Sequence, residues 1–540
     1  MRPGRLFPSA SACLALLLTL GGAGAAVAET LADAVALAYA NNPELNRQRM
    51  VQRQRDENYV QARSEYGPTL NAEITGGYRY RSQAGQSVND DNNQATLTLS
   101  QPIYTFGRLR GQLASARATV TSGQEQLRST EQNTVRNVVI VYASVLRDQA
   151  RLDVGRENVA VLRDQLRENQ ARRRVGDVTL TDVGQADARL AAAESQLATL
   201  EATLAVSRGE YLQVIGQNPG TLAPLPDLEG LPETLEQALR AAEDNNPDLS
   251  ASRYNERASS ANAAAVRGAQ GPTISANVQG SYFNRLYHFD GREGLKTVTG
   301  GLTLTQPLFA AGQIRSRVRS ADAANLADQL AIDEQRRTVL QAVTSAWSQL
   351  AAARTSLVSG ERQVASAQLA FAGMTREQRF GLRTTIDVLN AEQELQAAQL
   401  TFLQNRYTEY VSRASLLVAM GAFGARAITT NIDTYDPNDN FRRVRHKGMT
   451  PLEPIAMGLD RIGSAAVRRP LSANLTGEFG PTPNAAPALP PTPSDTLMHG
   501  ELTPMTQSKL VPASERPFDA NPNGIQPSTT PLPPMAPTPH

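Results

Sequence analysis

Two hydrophobic periods alternate along this chain, and the switch between them happens twice. From Leu31 to roughly Arg63, apolar residues fall at helical spacing (Leu31, Val35, Ala38, Leu45), and the Gly67-Pro68 pair ends the run. From Thr69 to Arg81 the period becomes two: Leu70, Ala72, Ile74, Tyr78 and Tyr80 alternate with Asn71, Glu73, Thr75, Arg79 and Arg81. A polar loop, Ser82 to Asn93, is expected next, then a returning strand in which Leu97, Leu99 and Ile103 alternate with Thr96, Thr98 and Ser100. The stretch 107–174 has no proline and predicts a helix of about 100 Å. Its seam (Leu109, Leu113, Ala116, Val120, Gly123, Leu127, Thr130, Thr134) is spaced by fours and threes, as in a coiled coil, but is lined largely by small and polar residues. After the turn Val175 to Thr179 comes a helix over 181–216 of about 55 Å. Laid end to end with the first helix, it matches the long one, so two short rods can stack beside one long rod.

The pattern repeats with an offset of 204 or 205 residues. TLADAVALAYANNPEL at Thr30 returns as TLEQALRAAEDNNPDL at Thr234, YGPTLNAEI at Tyr66 as QGPTISANV at Gln270, SQP at Ser100 as TQP at Thr305, and VGDVTLTDV at Val175 as FGLRTTIDV at Phe380. This is a tandem duplication. The first repeat is assigned to 29–218, with a hairpin over 69–104. A linker follows over 219–234, and the second repeat over 235–424, with a hairpin over 273–309, a long helix over 312–379 and a short helix over 384–421.

Composition then sets the address. Arg2 and Arg5 precede an apolar run, Cys13 to Leu20, and the small-residue site Ala26-Val27-Ala28, so residues 1–28 read as a cleaved secretory signal and the mature chain begins near Glu29. The only cysteine, Cys13, sits at the start of the apolar run, so the exported chain is expected to have no disulfide and no acyl anchor. No later stretch is long enough for a transmembrane helix, so any membrane insertion must use strands. The strands are about ten residues long, enough to cross a bilayer when tilted, with Tyr78, Tyr80, Tyr104, Tyr282 and Phe309 where an aromatic girdle belongs. Strand pattern alone favours the plainer alternative, a soluble antiparallel sheet with one wet face. Residues 425–540 lose periodicity and hold most of the prolines, as in PTPNAAPALPPTP; a disordered or loosely docked tail is expected, which composition favours over a partner-binding segment.

Charge and chemistry exclude more than they assign. With 53 basic and 52 acidic residues there is no field for nucleic acid. The four histidines at 288, 446, 499 and 540 are scattered, and no phosphate-binding loop, catalytic constellation, metal cluster or cofactor site is found. NDDNN at Asn89 to Asn93 lacks the spacing of a calcium loop and reads as an ordinary hairpin loop. The tips between long and short helices stand out: Gly176 with Thr181-Asp182, and Gly381 with Arg383 and Asp387. If several subunits form a tube, carboxylates there make a charged ring; equally, they cap the short helices, with Thr181 or Asp182 as the first N-cap.

LADAVALAYANNPEL, SQPIYTFG, TQPLFAAG and GLRTTIDVLNAEQELQAAQ together resemble the TolC family of outer-membrane efflux and type I secretion channels, over about Leu31 to Gly421. The resemblance implies a mainly α fold with membrane β structure: a long coiled-coil-like α-helical barrel continuous with a transmembrane β-barrel. Four strands per chain would give twelve in a homotrimer, set in the lipid bilayer of a Gram-negative outer membrane with a large periplasmic portion. It implies a passive exit duct, not an enzyme, working with a periplasmic adaptor (membrane fusion) protein and an inner-membrane ABC or proton-driven transporter. By the same resemblance the tip is the periplasmic gate. Asp387 sits at the position of an inward aspartate ring, Asn390 replaces the aspartate of a second ring, and Arg383 resembles the arginine that ties the closed gate, with Thr181 and Asp182 at partner positions. Pro102 and Pro307, which lack an amide proton, and Gly107 and Gly312, which permit a bend, mark where barrel becomes tunnel. The rival reading is a soluble periplasmic coiled-coil adaptor or scaffold, and the duplicated helix-strand-helix order argues against it.

Overall fold

In the computed structural model, residues 28–83, 86–284, 295–429, 432, 434–462 and 487–491 are described. The expected signal segment over 1–28, with Cys13, lies outside them except for its last residue, as do His288, His499, His540 and tail residues 463–486 and 492–540.

The first repeat comprises α1 (Leu31–Asn41), α2 (Pro43–Ser64), β1 (Thr69–Gln83), β2 (Gln86–Tyr104), α3 (Arg108–Arg174) and α4 (Leu180–Ile215). The second comprises α5 (Leu235–Asn245), α6 (Pro247–Gly268), β3 (Thr273–Asn284), β4 (Leu295–Thr305), α7 (Gln313–Arg379) and α8 (Thr385–Ala419). The first rod of each repeat, expected as one helix, is two. Asn42 and Asn246 interrupt it, each accepting on its side-chain oxygen from the two N–H groups that open the next helix, and Pro43 and Pro247 fill the first helical position. The same two asparagines explain the stacking of short rods. Asn42 donates to the Val214 carbonyl at 3.1 Å and Asn246 to the Ala419 carbonyl at 3.0 Å, joining each break to the end of its repeat's short helix.

α3 packs against α2 and α4 of its own repeat and against α6 and α8 of the other, so the two repeats interlock. Gly111 makes the α3–α6 approach possible, because a Cβ there would lie 2.5 Å from the Ala265 main-chain nitrogen. One core joins α5, α7 and α8 around Trp347, Val343, Leu350 and Leu416. A smaller one, Val159, Leu162, Ala186, Leu190, Ala193 and Leu389, joins α3, α4 and α8 near the tip.

The four strands form one antiparallel sheet in the order β1-β2-β3-β4. The hairpin loop expected over 82–93 is instead mostly strand: Tyr78 pairs with Asp91 and Gln83 with Gln86, so only residues 84 and 85 separate β1 from β2. Backbone pairing continues through NDDNN because the strand partner, not side-chain polarity, satisfies its amides. Cross-strand rows sort the residues by face. Ala72, Leu97, Gly280 and Val298 form one row and Leu70, Leu99, Val278 and Gly300 the next, while the alternate rows read Glu73, Thr96, Ser281, Thr297 and Asn71, Thr98, Gln279, Thr299. One face is therefore apolar and the other polar. Within one chain neither is covered along β4, where Val298, Leu302 and Leu304 are exposed.

Within the tail expected over 425–540 as disordered or loosely docked, residues 436–462 are instead folded and packed. Asp436 caps α9 (Pro437–Val444), which lies along α2 with Phe441 edge-on to Tyr59 and with Asn440 donating to the buried Asp56 carboxylate. α10 (Glu453–Asp460) packs on β2 and α3. Its Glu453 forms a buried ion pair with Arg63 at 2.9 Å, and the Arg63 guanidinium also donates to the Arg445 and Lys447 carbonyls. These contacts are specific polar ones, which composition and apolar periodicity do not encode.

Candidate functional site

Two places join the repeats to their long helices, and both are built twice. At the sheet end, Phe106 and Gly107 take left-handed conformations in succession (φ 51° and 77°), as do Ala311 and Gly312 (φ 46° and 82°). Glycine tolerates this geometry at little steric cost, whereas Phe106 and Ala311 do not, so each swivel carries local strain. Pro102 still lies within β2, opposite Ser275, and the register shifts by a bulge before Tyr104. Pro307 lies two residues beyond the end of β4. The junctions differ in their caps. Gly107 and Gly312, having no side chain, cannot cap their helices, and at Gly107 the Asp460 carboxylate of α10 takes that role. It accepts from Gly107 N–H at 2.9 Å, Thr105 N–H at 2.8 Å and the Tyr66 hydroxyl at 3.1 Å.

At the other end, Gly176 (φ 82°) and Gly381 (φ 73°) turn the chain from long helix to short. The N-cap of α4 is Thr179, not Thr181 or Asp182: Asp182 occupies the third helical position, where its carboxylate accepts from Thr179 N–H at 2.8 Å and hydroxyl at 2.7 Å. Thr384 and Asp387 repeat the device at α8, at 3.0 and 2.7 Å. A reciprocal threonine-carboxylate pair satisfies two open donors at once, so the helix starts where that pair is complete and not at the carboxylate itself. The threonine hydrogen bonds hold both carboxyls below the ordinary aspartate value, so both are anionic at neutral pH. The turn itself is tied by charge in each copy, with reversed polarity: Arg172 donates to Asp177 at 2.7 Å in the first and Arg383 to Glu377 at 2.8 Å in the second.

Within one chain, among the described residues, Arg383 makes no ion pair or hydrogen bond with Thr181 or Asp182. The polar contact that does cross between short helices comes from Arg189 on α4, which donates to the Asn390 side-chain oxygen at 3.0 Å and to Gln393. Sequence reading missed Arg189 because it and Asn390 are 201 positions apart and only the tertiary fold sets them side by side. Glu392, close to Leu389 on the same helix, was missed too. It is buried, and burial pushes its carboxyl up to about 7, with Arg189 pulling partly the other way. Anionic exposed caps, an arginine clamp between short helices and a buried carboxyl thus share the tip.

The sequence profile of the family described as outer membrane efflux protein matches residues 34–217 and 238–422, one span per repeat. The outer membrane efflux protein BepC of Brucella suis biovar 1 (strain 1330) is 32% identical over 425 residues, covering 78% of this chain and 92% of the relative. The outer membrane protein TolC of Salmonella enteritidis is 26% identical over 410 residues, 73% of this chain and 82% of the relative. The proteases secretion protein PrtF of Dickeya chrysanthemi is 25% identical over 412 residues, 73% of this chain and 88% of the relative. Among solved structures, the Campylobacter jejuni CmeC outer membrane channel superposes with a TM-score of 0.66 at 17% identity, over 78% of this chain and 90% of that one. CusC superposes with a TM-score of 0.65 at 20% identity, over 73% and 92%.

Proposed function

Because the chain belongs to the outer membrane efflux protein family, we propose that it is the exit duct of a tripartite export machine and assembles as a homotrimer. It is an outer-membrane channel protein of the efflux and secretion type. The sheet is the observation that carries the assembly. Four strands with β1 and β4 unpaired at the edges cannot close, since single-chain barrels begin at about eight strands. Joining β4 of one copy to β1 of the next removes every edge, and three copies give twelve strands. The apolar rows through Leu97 and Leu99 then meet lipid, and the Thr, Asn and Gln rows line a wet lumen.

Below the barrel the paired long and short helices continue as the tunnel wall, and the helix tips form its periplasmic gate. Asp387, repeated by symmetry, supplies an anionic ring at the narrow end, and Asn390 in place of a second acid leaves one ring. Arg189 holds α8 to α4 through Asn390 and Gln393, and Arg383 stiffens the turn through Glu377. Opening follows when the α7–α8 pair swings away from α4 and the Arg189 contacts break. A periplasmic adaptor protein and an inner-membrane transporter, ABC-type or proton-driven, supply the cargo and the energy.

Cell fractionation with heat-modifiable gel migration tests the reading. Recovery in the outer membrane, as an oligomer that dissociates on boiling, is expected. Recovery solely in the soluble periplasm would overturn it in favour of a scaffold.

A further inference from the structure

Helix α10 is inside out. Its two acids, Glu453 and Asp460, are each 1% exposed, one paired with Arg63 and the other capping α3. Ala456 between them is buried against Tyr66 and Leu109. These three positions, i, i+3 and i+7, are one stripe of the helix. Ile455 and Leu459, with Leu452 at the N-cap and Ile462 two residues past the last helical residue, follow the same spacing on another side, and Leu452, Ile455, Leu459 and Ile462 are 50, 60, 38 and 77% exposed. A helix on a water-facing surface turns its charges out and its apolar stripe in. Here the order is reversed over a segment that is otherwise firmly fixed.

The exposed stripe does not stand alone. Leu452, Ile455 and Leu459 share an apolar crevice with Leu99, Ile103 and Val278 of the sheet. Leu99 and Val278 are paired across β2 and β3 and belong to the apolar rows. The stripe therefore prolongs the apolar face of the sheet at its tunnel end, over the middle strands and away from the β1 and β4 edges where neighbouring copies meet.

We propose that α10 is an interfacial helix, with Leu452, Ile455, Leu459 and Ile462 set among the acyl chains of the periplasmic leaflet at the foot of the barrel. The inference rests on the reading of the sheet as membrane-spanning. An amphipathic helix gains from lipid in proportion to the apolar area it buries, and a short one serves as a float when the rest of the protein already spans the bilayer. Because Glu453 and Asp460 clamp α10 to α2 and α3, the float fixes the height of the barrel–tunnel junction against the membrane surface.

The chain's single cysteine, Cys13, precedes the expected mature start, so single-cysteine variants of the full-length oligomer can be labelled with an environment-sensitive fluorophore. Three positions suffice: Ile455→Cys on α10, Leu302→Cys on the apolar face of β4, and Glu194→Cys on α4. In phosphatidylcholine–phosphatidylglycerol vesicles doped with spin-labelled lipid, labels at 455 and 302 should lose most of their emission and the label at 194 should keep it. Quenching at 302 without quenching at 455 overturns the float while leaving the barrel intact. A blue-shifted but unquenched label at 455 means that protein covers the stripe, and overturns it equally. Loss of quenching at both positions removes the membrane reading of the sheet, and the float with it.

Discussion

The carboxylate of Asp460 accepts a hydrogen bond from the main-chain N–H of Gly107 at 2.9 Å, although 353 positions separate them in sequence. It also accepts from the Thr105 N–H and hydroxyl and from Tyr66, so one buried side chain satisfies donors that the left-handed start of α3 leaves open. Asp460→Ala strands those donors away from water, a loss of about 3 kcal/mol. The oligomer should dissociate at a clearly lower temperature, read by gel migration after graded heating. Asp460→Asn, which keeps one acceptor oxygen, should fall between the variant and the parent.

The charge on Asp387 is tested by Asp387→Asn, which can still accept from Thr384 and so leaves the helix cap in place. In reconstituted channels it should weaken block by multivalent cations. The threonine hydrogen bonds lower the folded pKa below 3.8, so the carboxylate is anionic above that value and loses its charge only as pH falls through the lowered value. Block by the parent channel should therefore be flat from neutral pH down to about pH 4.5 as far as this group is concerned. Unchanged block in the variant would count against the ring.

Arg189→Ala removes the polar tie between α4 and α8, whereas Arg383→Ala removes only a link within the α7–α8 turn. Both arginines are solvent-facing, so neither change should alter stability much. Single-channel recordings should show Arg189→Ala opening more often or to a larger conductance, with a smaller effect for Arg383→Ala. The reverse order would place the gate latch at Arg383, on contacts between neighbouring copies.

What the sequence makes legible here is whatever is local or repeated. The long helices can be read because no proline interrupts them, and the duplication can be read because four motifs keep one offset. Alternation reveals both faces of the sheet, since period two is a property of the strand itself. The break at Asn42 was readable in principle: Asn-Pro is a helix-start signal, and NNP occurs in both repeats. Asp436-Pro437 carries the same signal for α9. α10 was not readable, because periodicity arguments assume that charge faces water, and Glu453 and Asp460 face inward to partners far away in sequence. Arg189 and Glu392 belong to the same class, since their roles depend on α4 lying against α8.

Glu392 should make the tip pH-sensitive. Its folded pKa of about 7 lies above the ordinary 4.5, so the folded protein holds the proton through the window between them. The stability it confers is complete below about pH 4.5 and is lost as pH rises through about 7, a total of the order of 3 kcal/mol. Proteolytic cleavage at the tip, which reports local opening, should accelerate as pH rises from about 4.5 to about 7 and level off above that. Glu392→Gln, neutral throughout, should flatten that rise. An equal rise in the variant would assign the pH response to another group.

Trp347 is the only tryptophan of the chain and reports on the proline-rich region directly. Its indole N–H donates to the Pro487 carbonyl at 2.8 Å, the Arg354 guanidinium donates to the Pro490 carbonyl at 2.9 Å, and Leu489 packs on the α5–α7–α8 core. The geometry is matched along the helix axis. Seven residues of α7 rise about 10.5 Å, a span that three residues of any extended chain nearly cover at about 9 Å, so one segment can meet both donors. Composition favours a disordered or loosely docked tail over a partner-binding segment, and at 487–491 the segment is held by these contacts to the helical core. Replacing Pro487, Leu489 and Pro490 together by serine should uncover the indole, giving red-shifted emission and easier quenching by acrylamide, with the oligomer preserved on gels. Trp347→Phe should cost about 1 kcal/mol through the unpaired carbonyl it leaves and should expose the segment to protease. Emission that stays blue in the serine variant would mean that other residues, not this segment, bury Trp347.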